Sequence, residues 1–428
     1  MTQTKQKTIC VVGLGYVGLP MALRSKEVGY EVYGFDLDQS KIDLINHGKS
    51  PIEEAYVENL IEKFPFTATN DATIIQKADI VLVCVPTPVD KSYYPDLTPV
   101  IKSIEAIVKN LKKGALVVLE STVNPGVSEE IIKPLFESAG YIVGQDVFLA
   151  HCPERVNPGD KKWNVSNLPR VVGSFDQIGL DIALEYYRTI SSSEIRPMKS
   201  IREAEAVKIV ENSFRDVNIA FVNELARSFD KMGIDIKDVI LGAATKPFAF
   251  MAHYPSCGVG GHCIAVDPYY LIERAKKSGF DHKFLRIARE INNGMPEYTV
   301  EKLQDALNLV KLPMNGTIVG VLGLAYKANV DDTRESPAFE VIKHLKKHLS
   351  MVETFDPHIL KKSSSQSLED ILEKSQAIII TTDHKEFKEV LTPELLIKYD
   401  IKVVIDGKNC LDKDALEAAG IIYRGIGR

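Results

Sequence analysis

Residues 8–18 read TICVVGLGYVG, and this stretch decides the fold of the first half of the chain. An apolar, β-branched run leads into three glycines with the spacing G-x-G-x-x-G, and a helical pattern follows as far as Val28. Strand, glycine turn and helix in this order predict a Rossmann unit, in which the turn lets the backbone approach a dinucleotide pyrophosphate. We predict cofactor contacts at the turn residues Gly13, Gly15, Tyr16, Val17 and Gly18.

A second predicted strand, at residues 31–35, ends at Asp36, which follows Gly15 by 21 positions. An acidic residue at about this distance accepts hydrogen bonds from the adenosine ribose in Rossmann domains. The next residue, Leu37, offers no cation for a 2′-phosphate. The pattern therefore favours NAD over NADP.

Three further strands are predicted at residues 80–85, 115–119 and 147–151, and each ends in a polar cluster. Ligands of open α/β sheets bind at the carboxyl ends of the strands. We therefore predict that Thr87, Ser121 and Thr122 contact the far side of the cofactor. A single Ser or Thr at such a position also serves as a turn or cap residue, which is the alternative.

Length and composition limit the classes of protein that the chain can belong to. A chain of 428 residues exceeds one hydrophobic core and predicts two or three domains. A net charge of -6 without a long basic run argues against nucleic acid or an anionic membrane as the main partner. No signal-peptide or bilayer-spanning run is present, and the six cysteines lack paired spacing, so we expect a cytoplasmic protein with reduced thiols.

The middle of the chain predicts one long amphipathic helix over residues 203–232, because apolar residues recur there every three or four positions. Such a helix suits a connector between two domains and a dimer interface. Lys208 and Asn212 lie four positions apart and so share a face of it. We interpret them as a cation and an amide that point into a cleft, with solvated helix residues as the alternative.

Residues 253–270 read HYPSCGVGGHCIAVDPYY. This segment contains three glycines within four positions, Gly258, Gly260 and Gly261. A loop with so many glycines usually needs unusual φ angles or a close approach of the main chain to a ligand. If a helix begins just after these glycines, Cys263 lies at its N-terminus, where the amide groups favour a nucleophilic thiolate. The alternative is a buried structural cysteine in a tight turn.

The last third repeats the strand and helix order of the first. Strands predicted at residues 317–322, 351–355, 378–382 and 402–405 indicate a second parallel α/β domain, and Asp356 closes the second of them. The full glycine fingerprint is missing from this domain. Turn-rich segments at residues 292–296 and 313–316 predict a domain boundary.

Taken together, these motifs resemble the UDP-glucose/GDP-mannose dehydrogenase family across essentially the whole chain. The matching residues are Gly13–Gly18 with Asp36, Glu120-Ser121-Thr122-Val123, Pro153-Glu154, Glu205-Ala206-Val207-Lys208 with Asn212, Gly260-Gly261-His262-Cys263 with Asp267, Tyr326-Lys327, and Asp332-Thr333-Arg334-Glu335-Ser336. The resemblance implies an α/β fold of two Rossmann-like, doubly wound parallel-sheet domains joined by a long central helix. It divides the chain into an NAD domain (1–200), a helical dimerisation domain carrying the cysteine loop (201–300) and a UDP-sugar domain (315–428).

The resemblance also implies an NAD-dependent four-electron oxidation of a sugar C6 alcohol to a carboxylate. Lys208 and Asn212 would hold the developing alkoxide, and Asp267 would position water or tune protonation. Cys263 would attack the aldehyde, and Glu154, with Thr122 beside it, would act in hydrolysis of the resulting thioester. Arg334 matches a cofactor contact, and substrate contacts are expected at Glu154, Arg155, Val156, Lys208, Asn212, Tyr254, Gly258, Gly260, Tyr326, Lys327 and Lys408.

The segment PERVNPG at residues 153–159 and His262 before Cys263 resemble members that oxidise UDP-N-acetylhexosamines. The substrate is therefore expected to be UDP-N-acetyl-glucosamine, -galactosamine or -mannosamine, used for surface polysaccharide precursors, with UDP-glucose as the alternative. Lys408 departs from the family, which often has Arg there, so a bidentate phosphate contact is lost.

Two other classes of protein compete with this interpretation. A single-oxidation dehydrogenase of the hydroxyacid type shares the Rossmann unit and a helical lysine, but it leaves Cys263 and the last third unexplained. A metal or redox site at Cys257, His262, Cys263 and Asp267, or an NAD sensor, is the other class. The spacing of these residues matches no common zinc framework, so no metal is expected.

Overall fold

A computed structural model describes residues 7–52, 54–88, 95–156, 162–261 and 263–428. These ranges form two compact units, each built around its own sheet. The first unit comprises Met1–Glu211 and Tyr269–Ser278, and the second comprises Asn212–Pro268 and Gly279–Arg428. The predicted α/β fold with two parallel-sheet domains and a long central helix is confirmed. The three-domain division at residues 200 and 300 stays a prediction.

The first unit contains a sheet whose described strands follow the order 3-2-1-4-5-6-7-8. Its strands are β1 (Thr8–Val12), β2 (Glu31–Phe35), β3 (Thr67–Thr69), β4 (Ile80–Val83), β5 (Ala115–Leu119), β6 (Val147–His151), β7 (Arg170–Ser174) and β8 (Ile195–Pro197). Its helices are α1 (Gly18–Glu27), α2 (Gln39–Asn46), α3 (Ala55–Leu60), α4 (Thr98–Asn110), α5 (Lys133–Ser138) and α6 (Gln177–Ile190). Alternate residues of β1 enter two separate apolar cores, so both faces of the sheet are covered.

One edge of this sheet departs from the predicted parallel arrangement. The strands from β3 to β6 are parallel to their neighbours, but β7 runs antiparallel to β6 and β8 runs parallel to β7. The prediction missed β7 because its apolar run begins with a charged residue, Arg170, whose side chain is wholly buried. This arginine therefore enters the core at the carboxyl end of β6.

The predicted central helix is present as α7 (Ile201–Met232), and its burial pattern is unusual. Three residues of the predicted apolar stripe, Val210, Phe214 and Phe221, are more than half exposed. Asp216 and Asn223 on the same helix are instead wholly buried. Within the second unit the helix therefore packs through polar side chains as well as apolar ones such as Val222 and Ala226, and it leaves other apolar side chains exposed.

The second unit contains a sheet whose described strands follow the order 10-9-11-12-13, all parallel. Its strands are β9 (Ile318–Leu322), β10 (Met351–Phe355), β11 (Ala377–Ile380), β12 (Val403–Asp406) and β13 (Ile422–Gly425). Further helices of the chain are α8 (Ile236–Ala244), α9 (Asp267–Lys277), α10 (Lys283–Leu309), α11 (Pro337–Lys347), α12 (Leu368–Lys374), α13 (Lys385–Val390), α14 (Pro393–Lys398) and α15 (Lys413–Ala418). Among the described residues, none of the helices carries an apolar run sufficient to cross a lipid bilayer.

The turn predicted at residues 292–296 is absent, because these residues lie inside α10, and the domain boundary predicted there stays a prediction. Pro296 is an interior residue of this helix and is buried, as is Asn292. Proline removes one backbone hydrogen bond from a helix and usually ends it. The continuing side-chain contacts of α10 hold the helix together past this point, and its second half packs beneath the second sheet through Val300 and Leu303.

A seam of polar side chains joins α7 to α10. The Arg289 guanidinium donates to Asp216 Oδ1 at 2.6 Å, and Asn223 Nδ2 donates to Asn292 Oδ1 at 2.8 Å. About two turns further along α7, Lys302 donates to Asp230 Oδ1 at 2.6 Å. The α7 members lie seven positions apart, so they occupy one side of that helix. The two helices are thus held by hydrogen-bonded charges as well as by apolar contacts.

The first turn of both sheets is closed by an aspartate at the end of the second strand. In the first unit Leu14 N–H donates to Asp36 Oδ2 at 2.7 Å. In the second unit the N–H groups of Leu324 and Ala325 donate to Asp356 Oδ2 at 2.6 and 2.8 Å. The Asp356 carboxylate is also 3.1 Å from His384 Nε2 and is wholly buried, whereas Asp36 is partly exposed. Asp356 is therefore a structural residue.

Replacing Asp356 by Ala should destabilise the second sheet by roughly 3 kcal/mol, since two buried N–H groups and His384 lose their acceptor. Native-state hydrogen exchange of β9 and β11 amides measures the effect, with the exposed Asp414→Asn as control. Burial opposes ionisation, but His384 and the two N–H groups outweigh it and hold the pKa of Asp356 below its usual range. Its stabilisation should therefore be complete above about pH 4 and be lost as the pH falls further. Unchanged exchange rates in the alanine variant would contradict this role.

Candidate active site

The glycine turn of the first unit has the geometry that a dinucleotide requires. Gly13 has φ +91°, and a Cβ there would lie 2.8 Å from the carbonyl oxygen of Cys84. A Cβ on Gly18 would lie 1.9 Å from the carbonyl oxygen of Gly13, so the turn and α1 pack too closely for a side chain. A Cβ on Gly15 would meet nothing within 4 Å, which leaves that side of the turn open. The backbone beside the start of α1, at Tyr16 and Val17, is open, and the Asp36 carboxylate is held next to this turn by Leu14 N–H. This arrangement fits NAD.

The strand-end residues predicted to contact the cofactor take part in the structure of the first unit. Ser121 Oγ donates to the carbonyl oxygen of Val85 at 2.7 Å, which ties the end of β5 to the loop after β4. Thr87 is buried, and its carbonyl oxygen accepts a hydrogen bond from Tyr270. Thr122 is partly buried. Their contacts with the cofactor stay a prediction.

Glu154 lies in a buried cluster that the sequence did not indicate. Its Oε1 accepts from the backbone N–H of Val156, and its Oε2 lies 3.9 Å from Nη1 of Arg170. The same nitrogen lies 3.7 Å from Oε2 of Glu120, whose Oε1 accepts from Tyr187 at 2.6 Å. Burial raises the pKa of Glu120 to about 7; Arg170 lowers it and Glu154 raises it. A charge inside an apolar strand was the only sequence signal for Arg170.

The neighbouring substrate candidates have partners within the first unit. The Arg155 guanidinium contacts both carboxylate oxygens of Glu211, on α7, and donates to the carbonyl oxygen of Pro169 at 2.9 Å. Lys208, one turn before Glu211 on this helix, is largely buried. Val156 shares a cavity wall with Tyr16, together with Pro20, Glu54, Tyr56, Trp163, Asn164 and Val165. Residues 157–159 of the matching segment lie outside the described residues.

The glycines of the 253–270 segment are required by a close contact within the second unit. A Cβ on Gly258 would lie 2.7 Å from the Pro337 side chain, and one on Gly260 would lie 2.7 Å from the carbonyl oxygen of Glu335. Gly261 has φ +85°, and its Cβ would lie 2.7 Å from the ring of Tyr326. We name residues 256–261 the glycine loop. Its backbone packs directly on the segment 326–337.

Cys263 follows the glycine loop and is exposed. The prediction that it lies at a helix N-terminus is wrong, because residues 263–266 form a turn and α9 begins at Asp267. The backbone N–H of Asp267 donates to the carbonyl oxygen of Cys263 at 2.8 Å, so the turn leads into the helix. The buried carboxylate of Asp267 accepts from Nδ2 of Asn212 at 2.5 Å. The structure therefore brings Cys263, Asp267 and Asn212 together, and His262 lies outside the described residues.

A cation lies close to this thiol within the second unit. The carbonyl oxygen of Arg334 accepts from Gly261 N–H at 3.1 Å. Asp332 holds the Arg334 guanidinium through Nε at 2.9 Å and Nη2 at 2.6 Å. Asp332 is the main cause of a raised Arg334 pKa, with a smaller contribution from Cys263. Tyr326 and Lys327, on the same segment, are partly buried. Arg334 thus lies within electrostatic range of Cys263, and its contact with a cofactor stays a prediction.

The start of the glycine loop is fixed from two directions. Cys257 N–H donates to the carbonyl oxygen of Gly407 at 2.8 Å, beside Lys408 at the end of β12. Ser256 N–H donates to Asn223 Oδ1 at 2.9 Å, which connects the loop to the polar seam between α7 and α10. Asn223 could not be recognised from the sequence, because a polar residue on a helix is usually solvated. Tyr254, before the loop, is half exposed.

Comparisons with known proteins find one family along most of the chain. Residues 7–191 match the NAD binding domain of the UDP-glucose/GDP-mannose dehydrogenase family, residues 202–294 match its central domain, and residues 320–413 match its UDP binding domain. A UDP-N-acetyl-D-glucosamine 6-dehydrogenase of Pseudomonas aeruginosa is 36% identical, over 94% of this chain and 98% of that protein.

The chain belongs to the UDP-glucose/GDP-mannose dehydrogenase family. The predicted resemblance and the predicted cofactor, NAD, are thereby confirmed.

Solved structures of this family superpose closely on the chain. A UDP-N-acetylmannosamine dehydrogenase from Pyrococcus horikoshii has a TM-score of 0.92 at 36% identity, covering 98% of this chain and 99% of its own. An NDP-N-acetyl-D-galactosaminuronic acid dehydrogenase from Methanosarcina mazei has a TM-score of 0.87 at 33% identity, covering 99% of this chain and 95% of its own. The individual roles of the site residues stay predictions.

Replacing Gly261 by Ala should lower turnover about 100-fold, because a Cβ at φ +85° displaces the glycine loop from Tyr326 and moves Cys263. Steady-state NADH formation and the alkylation rate of Cys263, followed by mass spectrometry, measure the displacement. Gly242→Ala is the matched control, since a Cβ there meets nothing within 4 Å. Equal turnover in both variants would show that the close contact is not needed.

Proposed function

We propose that the protein oxidises the C6 alcohol of a UDP-N-acetylhexosamine to the carboxylate of the corresponding uronic acid, with NAD as oxidant. The observation that carries this proposal is an exposed thiol, Cys263, placed beside the hydrogen-bonded pair of Asp267 and Asn212. A dehydrogenase that stops at the aldehyde needs no nucleophile. A thiol at the site provides a covalent route from aldehyde to acid.

In the first oxidation, Lys208 and Asn212 hold the alcohol oxygen as it loses its proton to a water molecule positioned by Asp267. They lie one turn apart on α7, so an ammonium and an amide N–H point from the same face of the helix. Asp267 accepts from the same amide and fixes its orientation. NAD, when bound, accepts one hydride in each of the two oxidations. Preorganised donors of this kind stabilise a developing negative charge because they need no reorganisation during the reaction.

In the second oxidation, Cys263 Sγ attacks the aldehyde carbon and forms a thiohemiacetal, which becomes a thioester when its hydride leaves. Water then attacks the thioester carbon, the C–S bond breaks, and the thiolate is restored. Glu154 accepts the proton of that water, with Thr122 beside it. The carboxylate is well suited to this role because its Oε1 is oriented by the N–H of Val156.

The UDP-N-acetylhexosamine is supported by the relatives, whose names give N-acetylglucosamine, N-acetylmannosamine and N-acetylgalactosaminuronic acid as their sugars. The nucleotide contacts we propose are Tyr326, Lys327 and Lys408. Sugar contacts are proposed for Arg155, Val156, Tyr254, Gly258 and Gly260, of which Arg155 must share its guanidinium with Glu211. The product would serve as a precursor of surface polysaccharides in the cytoplasm.

A homodimer is supported by the exposed apolar stripe of α7. Val210, Phe214 and Phe221 are more than half exposed, although each would be stabilised by burial. A soluble chain rarely leaves such a row open. We propose that a second copy of the chain covers it.

Two NADH molecules should form for each UDP-N-acetylhexosamine consumed, because both oxidations take place on one enzyme. A panel of UDP-sugars, including the gluco, galacto and manno N-acetyl epimers and UDP-glucose, identifies the substrate by absorbance. One NADH per sugar would support a single-step hydroxyacid-type dehydrogenase instead. Absence of NADH with every sugar would support an NAD sensor.

Changing Cys263 to Ser should slow acid formation roughly 1,000-fold while NAD affinity stays unchanged, since a hydroxyl is a weak nucleophile without an activating base. Acid formation is measured by chromatography and NAD binding by calorimetry. Cys410→Ser is the control, because that thiol is partly buried and contacts Asp406. Near-normal rates in the Cys263 variant would remove the covalent mechanism.

A further inference from the structure

The cluster around Glu154 contains more negative charge than its buried cation can neutralise. One nitrogen, Nη1 of Arg170, faces Oε2 of both Glu120 and Glu154, at 3.7 and 3.9 Å. The side chains of Arg170 and Glu120 are wholly buried, and that of Glu154 is 10% exposed. Neither Oε2 atom has a hydrogen-bond partner among the described residues. Two carboxylates therefore converge on one guanidinium, each with an oxygen that has no other partner.

Among the described residues, the other groups that act most strongly on Glu120 and Arg170 carry no charge near neutral pH. Cys84 follows β4, Cys152 follows β6, and Tyr186 and Tyr187 lie on α6. Burial raises the pKa of Cys152 to about 12, and it also raises the pKa values of Cys84, Tyr186 and Tyr187. Met21, which accepts from the Arg170 guanidinium at 3.3 Å, is neutral. With both glutamates ionised, the cluster would hold one uncompensated buried negative charge.

An uncompensated buried charge is strongly destabilising, and uptake of one proton removes it. A proton on one carboxyl also supplies a donor for the partnerless oxygen of the other. Two carboxyl groups held this close titrate as a pair that shares its first proton.

We propose that Glu120 and Glu154 share one proton beside Arg170, and that Glu120 is a positioning residue whose charge governs how Arg170 acts on Glu154, the residue that accepts the proton of the hydrolytic water. This inference rests on the proposed function, because it concerns the residue that acts in thioester hydrolysis. Glu120 itself touches neither substrate nor cofactor in this account. The shared proton stays within the pair, and Glu154 accepts the water proton.

The direction of the pH effect follows from the charges. Burial raises the pKa of Glu120, Arg170 lowers it and Glu154 raises it. The net result is a pKa of about 7. Below pH 7 Glu120 is neutral, so Arg170 acts on Glu154 alone. Above pH 7 the Glu120 carboxylate also attracts Arg170, so the guanidinium competes less with the water proton for the Glu154 carboxylate. Hydrolysis should therefore accelerate as the pH rises through about 7.

The test is the pH profile of thioester hydrolysis, measured in single turnovers by acid quench and mass spectrometry of Cys263. In Glu120→Gln the acceleration near pH 7 should disappear, and hydrolysis at pH 8 should slow about tenfold, since a base one pKa unit weaker is up to ten times less effective. Glu185→Gln is the matched control, because Glu185 is exposed on α6 and pairs with Lys7. A Glu120→Gln profile that keeps the wild-type acceleration overturns the proposal.

A second variant keeps the test decisive if Glu120→Gln does not fold. Tyr187 donates to Glu120 Oε1 at 2.6 Å and so favours the ionised carboxylate. Tyr187→Phe removes only that hydroxyl, and the acceleration should move to higher pH. An unmoved profile in this variant overturns the proposal.

A measurement without substrate separates this proposal from the proposed function. The infrared band of a neutral carboxyl should titrate near pH 7 in the unliganded protein and be absent in Glu120→Gln. If the wild-type protein forms no NADH with any UDP-sugar but shows this band, the proposed function fails and the shared proton stands. If two NADH form and the band is absent, the shared proton fails and the proposed function stands.

Discussion

The close approach of the glycine loop to the segment 326–337 is the constraint on which the candidate site depends. Gly258, Gly260 and Gly261 leave no room for a Cβ against Pro337, Glu335 and Tyr326. This contact fixes the main chain two residues before Cys263, while the hydrogen bond to Asp267 fixes it just afterwards. For the nucleophile role proposed for Cys263, such a hold on both sides would reduce the conformational entropy lost in the reaction. Other parts of the second unit, including Asn223 and Gly407, support the same loop.

Both sheets have an aspartate at the same position, but the two aspartates differ in what they can bind. Both close their first turn with an aspartate at the end of the second strand, but the surroundings decide what each carboxylate can do. Asp36 remains partly exposed and can bind a ribose. Asp356 is wholly buried and already accepts from two amides and His384. The absence of a full glycine fingerprint from the second unit agrees with this loss of an open carboxylate.

Sequence patterns predicted most elements of the two sheets, because alternating glycine turns and apolar runs are local properties. They failed where long-range packing decides the outcome. Pro296 suggested a turn, but the residues on both sides of it lie in one helix, α10. Strand β7 was not predicted because it begins with Arg170, and a buried charge inside a sheet is rare. The site residues came from motif resemblance. Glu120 with Arg170, and Asn223, could not be given roles from sequence, because only the fold shows which polar side chains are buried together.

The polar seam between α7 and α10 has a consequence for how the second unit chooses a single packing. Apolar helices can slide past each other by a turn at modest cost, because one methyl group resembles another. A slip of α10 would separate Arg289 from Asp216 and leave a buried ion without its partner, which costs about 3–5 kcal/mol. The polar seam therefore favours a single register of α10 against α7. Asn223 also accepts a hydrogen bond from Ser256 at the start of the glycine loop. The register of the two helices therefore helps to position the loop that precedes Cys263, the proposed nucleophile.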